Sequence, residues 1–94
     1  MSARVTRYRS PGASRGVGHT PKTILRYIAW SAIRSLGSLW GTTEANQRIP
    51  LSNARAEAGV LEGLSKTTNA WVPLASIDIP IGNGEHATYR RTTQ

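Results

Sequence analysis

One stretch of this 94-residue chain carries helical periodicity, and both of its ends are marked. Thr20-Pro21 puts a hydroxyl at an N-cap and a proline at the first helical position, where no amide donor is needed. At the helical step of about 100° per residue, Ile24, Leu25, Ile28, Ala29, Ala32, Ile33, Leu36, Leu39 and Trp40 share one half of the surface. Gly41 is a C-terminal cap. The spacing predicts an amphipathic helix over about residues 22–40. Fully burying each larger side chain on its apolar face is worth about 1.5–3 kcal/mol, so that face needs a cover. With Arg26 and Arg34 inside it, the segment is too short and too charged to cross a bilayer.

Little in the chain can supply that cover. Leu, Ile and Val number eighteen and Phe is absent, which with a net charge of +7 is a composition that folds poorly unaided. The length allows one small domain. A weaker second helix is expected over about 53–64, capped by Ser52 or Asn53. Ala54, Ala58, Leu61 and Leu64 lie on its one side, and Gly59 and Gly63 weaken it by about 1 kcal/mol each. From about 70 to 91 the period becomes two. Trp71, Ala75, Ile77, Ile79 and Ile81 alternate with Val72, Leu74, Ser76 and Asp78. Pro73 and Pro80 each remove a donor, which points to an edge strand or an extended arm. Asn83-Gly84 is a favoured two-residue turn, and the hairpin it closes would set Ile79 opposite Thr88 and Asp78 opposite Tyr89. Residues 1–20 are glycine-rich and without period, and read as a basic extended arm. The expected fold is a small α+β or mainly α chain with little core. Its parts would be an arm (1–20), a helical nucleus (21–65) and an extended segment or hairpin with a tail (66–94).

The charge is lopsided. Arg4, Arg7, Arg9, Arg15, Lys22, Arg26 and Arg34 lie in residues 1–43 with no acid among them, whereas residues 44–94 balance to zero. Such a half is expected to meet nucleic acid, an acidic protein or, less readily, an anionic membrane surface. Arginine outnumbers lysine ten to two, and guanidinium forks suit phosphates and carboxylates. Trp30 stands between Arg26 and Arg34 at helical spacing with Tyr27 beside it, an interleaving of cations and aromatics that suits single-stranded nucleic acid or a membrane interface.

Catalytic signatures fail. There is no cysteine, so disulfides and thiol chemistry are excluded. Gly16-Val17-Gly18-His19-Thr20-Pro21-Lys22-Thr23 resembles a phosphate-binding loop, but Pro21 stands where the second glycine must be, and its fixed φ defeats the cradle. His19 and His86 have no partner at ligand spacing. No enzyme, cofactor, metal site or small-molecule substrate is expected. No secretory h-region is present, although the Arg- and Ser-rich, acid-free start also fits a mitochondrial presequence.

The sequence therefore reads as a small, basic, non-catalytic structural subunit of a large assembly, foremost a virion, that orders as it assembles. It would be intracellular or virion-associated, with other subunits as its partners. Trp30, Trp40, Trp71, Ile77, Ile79 and Ile81 are its candidate interface anchors. The alternatives are a nucleic-acid-binding protein using the arginine-rich half, and a peripheral membrane or organellar accessory subunit.

Overall fold

The computed structural model describes residues 6–10 and 18–93. In chain order its elements are β1 (Thr6–Arg9), α1 (Pro21–Ile33), β2 (Trp40–Thr43), β3 (Arg48–Pro50), β4 (Ala54–Glu57), β5 (Val60–Ser65), β6 (Ala70–Gly82) and β7 (Glu85–Thr93). All pairings are antiparallel, in the order β1-β7-β6-β2-β3, with β4-β5 joined to β6. This corrects the expectation of a mainly helical or two-helix α+β chain with little core: the molecule is mostly antiparallel sheet with one helix.

β6 organises the sheet. Its first residues, Ala70–Pro73, pair with β5, and its later ones pair with β2 and β7. It is a central strand despite two prolines, and the reason is where they stand. Pro73 ends the β5 ladder just before the β2 ladder begins at Leu74. Pro80 lies beyond Asp78, the last residue beside β2, so its missing amide leaves the β2 ladder intact, and on the β7 side it stands opposite His86 where that ladder becomes irregular. The Asn83-Gly84 turn joins β6 to β7, yet Asp78 faces Thr88 and Ile79 faces Ala87, one residue from the expected register. An irregularity between Pro80 and Gly82 makes the shift.

The helix starts at its Thr20-Pro21 signal, with Thr20 accepting from the Thr23 amide, but it stops at Ile33 rather than at 40. Ser35 turns left-handed (φ 53°), and the amides of Ser35 and Leu36 return to the carbonyls of Ala32 and Ser31. That is a Schellman stop, after which Leu39 and Trp40 serve β2 and its approach. The expected second helix at 53–64 is instead the β4–β5 hairpin, turning at Ala58-Gly59 with φ of 52° and 77°. Two consecutive positive φ values make a type I′ turn, which suits strands and ends helices.

Nor are residues 1–20 simply an arm. Tyr8 on β1 is fully buried, donating from its hydroxyl to the Leu74 carbonyl (3.1 Å) and accepting from the Leu61 amide (3.3 Å). Tyr8 belongs to one core with Ile24 and Ile28 of α1, Ile49 and Leu51, Leu61 of β5, and Leu74, Ile77 and Ile79 of β6. Ser31 ties the helix to β6 through the Pro80 carbonyl (3.1 Å).

Candidate nucleic-acid interface

Cross-strand partners in an antiparallel sheet point to the same face, so the registers define what the sheet presents away from its core. Arg9 faces Arg90, Arg90 faces Ser76, Ser76 faces Thr42 and Thr42 faces Arg48. One row, Arg9–Arg90–Ser76–Thr42–Arg48, therefore crosses β1, β7, β6, β2 and β3. At about 4.8 Å between strands it is about 19 Å long. Its neighbours in sequence on β7 and β6, Tyr89 and Ile77, belong to the opposite face, where Ile77 lies in the core beneath α1.

Each member is held by ordinary strand physics. Ser76 and Thr42 occupy the centre of the sheet, and none of the five residues is buried. Arg90 and Arg48 are exposed, while the half-buried Arg9 lays its stem over Gly18, where an added Cβ would come within 2.7 Å of Arg9 Cγ. Arg9 Nε is the buried side-chain nitrogen without a hydrogen-bond partner among the described residues. Arg7, at the register of Thr92, stands at the edge strand and lines a hollow with Lys22.

A second row, Thr88–Asp78–Trp40–Pro50, runs beside the first. The Arg48 guanidinium lies over the Trp40 ring, 4.4 Å from its centroid, a cation–π stack that holds a flat surface at one end of the arginine row. Asp78 accepts from the Thr88 hydroxyl (3.3 Å) and lies 3.5 Å from His86 Nδ1. Arg91 is likewise paired with Glu44. A polar hollow of about 480 Å³, bordered by Thr42, Ser76, Asn46 and Arg90 and by the Glu44–Arg91 pair, indents this face.

The sequence-predicted contacts divide. Arg4 and Arg15 lie outside the described residues. Arg9 joins the row, whereas Arg26 lies on α1 and Arg34 at its C-cap, and the helix packs on the other side of the sheet. Of the anchors, Ile77 and Ile79 are taken up by the chain's own core, Trp40 and Trp71 are half-buried beneath Arg48 and Arg55, and Trp30 and Ile81 are exposed. Sequence reasoning missed Arg48 and Arg90. The signal was present in the alternation of Thr88, Arg90 and Thr92 with Ala87 and Tyr89, but only the strand order places Arg90 between Arg9 and Ser76.

No helix among the described residues is long and apolar enough to cross a membrane, and no group of three or more His, Asp or Glu residues among them could hold a metal ion. No family model, curated protein or solved structure matches the chain.

Proposed function

We propose that this chain binds single-stranded nucleic acid on the outer face of its sheet, as a binding protein without a reaction of its own. The observation that carries the reading is the directly opposed pair Arg9 and Arg90 within a row that ends on Arg48, stacked over Trp40 of the neighbouring row. Like charges opposite each other destabilise a sheet by about 0.2–1 kcal/mol. The fold gains nothing from that pair, and a polyanion would turn the repulsion into attraction. Guanidiniums along the row would pair phosphates, the hydroxyls of Ser76 and Thr42 would donate to backbone oxygens, and the Arg48 guanidinium, held flat over the Trp40 ring, would stack on a base.

The test is fluorescence anisotropy with a labelled oligo-dT across a salt series. Affinity should fall steeply with salt. Arg90→Glu and Arg48→Glu should each weaken binding about tenfold or more and flatten the log–log slope by about 0.7 per lost phosphate contact. Charge reversal at Arg26 and Arg34, on the far side, should have a much smaller effect. Absence of binding at low salt, or binding indifferent to Arg48 and Arg90, overturns the reading.

A second reading, a non-catalytic subunit of a larger assembly such as a virion, is favoured by one different observation. The large exposed hydrophobics of the described residues are Trp30, Ile33 and Ile81, and none of them lies on the arginine row.

A further inference from the structure

α1 does not cover the whole inner face of the β6–β7 hairpin. Between them runs an open groove of about 480 Å³, with Tyr27 and Trp30 on the helix side and Ile79, Ile81 and Tyr89 on the sheet side. Trp30 and Ile81 are each 51% exposed, and Ile33, one turn beyond Trp30, is 82% exposed. Large apolar side chains scattered singly over a surface need no explanation, but two that flank one concavity, with a third a turn beyond its border, do. Arg34 lies over the Trp30 ring at 5.5 Å, Arg26 stands one turn before it at the groove's border, and the chain has no acid before Glu44. The groove is thus apolar inside and positive at its rim.

We propose that this groove docks an acidic, amphipathic segment of a partner protein, its large apolar side chains entering between Trp30 and Ile81 and its carboxylates meeting Arg26 and Arg34. The charge argues for this occupant. A second copy docked by two-fold symmetry would set Arg26 and Arg34 against their own counterparts with no acid to offset them. Ile79 and Ile81 offer nothing to a phosphate or to a base edge, and of the groove's hydroxyls, on Tyr27, Ser31 and Tyr89, that of Ser31 already donates to Pro80. A lipid surface would be met by a convex apolar face, not by a concave one. A helix laid in a groove fits, with anchors at i, i+3 and i+4. The proposal is independent of nucleic-acid binding on the opposite face and stands or falls separately from it.

The experiment is selection from a displayed library of random short peptides on the folded full-length chain, followed by titration of synthetic versions of the enriched sequences. Enriched peptides should combine Asp or Glu with large apolar residues at helical spacing. In the unmodified protein they should shift the NMR signals of the Trp30 indole and the Ile81 methyls and leave the Trp40 indole in place. The surface substitutions Arg26→Glu and Arg34→Glu, both at exposed positions, should together weaken binding about tenfold or more, as should Ile81→Asp. Basic or uncharged winners, signals moving elsewhere, or no enrichment would sink the proposal. So would concentration-dependent dimerisation through Trp30, or perturbation of the same signals by oligo-dT or by phosphatidylserine vesicles in place of the peptides.

Discussion

Tyr8 is the one fully buried side chain among the described residues of the first twenty. Its ring is enclosed, and its hydroxyl bridges β6 and β5 through Leu74 and Leu61. Tyr8→Phe removes both bonds and strands a buried carbonyl and a buried amide, so urea denaturation should show a loss of about 1–3 kcal/mol. An unchanged midpoint would mean that the bridge carries no weight. Burial also raises the Tyr8 hydroxyl above its ordinary value of 10.0, only partly opposed by the Leu61 amide and the nearby Arg91 charge. Tyr89 is raised too, by burial and then by Tyr27. The sign follows from linkage. The folded state holds these protons more tightly than the unfolded state, so their contribution is complete below pH 10 and is lost as pH rises through the folded values. Alkaline unfolding, followed by circular dichroism together with phenolate absorbance, should coincide with Tyr8 ionisation and shift in Tyr8→Phe.

At the scale of elements, two hairpins show what local chemistry could and could not announce. Asn83-Gly84 is a strong turn dipeptide between alternating segments, so the β6–β7 turn was legible. Ala58-Gly59 adopts the same kind of turn with an alanine at φ 52°, and alanine carries no such signal. Ala54, Ala58, Leu61 and Leu64 therefore passed for a helix face, although Leu61, Gly63 and Ser65 are the buried alternation of a strand. Ala58→Asn should relieve the left-handed strain and raise stability by about 1 kcal/mol. A fall in the melting midpoint would mean that the turn is not type I′. The helix start was legible in Thr20-Pro21 because capping is local. Its end was not, because Leu36, Leu39 and Trp40 keep helical spacing past a stop made by Ser35, a residue that seldom takes a positive φ. The candidate interface was the least legible part. Arg9, Arg48 and Arg90 are far apart in sequence, and their row exists only through four strand pairings.

For the whole molecule, Thr6 pairs with Thr93, so the two ends of the described chain meet in one ladder. Closing it brings Arg9 and Arg90 face to face in a protein that already carries a net charge of +7. Stability and binding should therefore respond to salt with opposite signs. Screening relieves the repulsion within the free protein, so its melting midpoint should rise as monovalent salt is added from a low starting level. The same ions compete for phosphate, so affinity for oligo-dT should fall over that range. Arg90→Thr separates the two effects, since threonine suits a strand and removes the opposed charge. It should stabilise the free chain by about 0.2–1 kcal/mol and flatten the salt dependence of its melting while it weakens oligonucleotide binding. A variant that lost stability and kept its affinity would show that Arg90 serves the fold rather than a ligand. One that gained stability and lost affinity would show that the sheet tolerates a repulsive pair because a polyanion is what it meets.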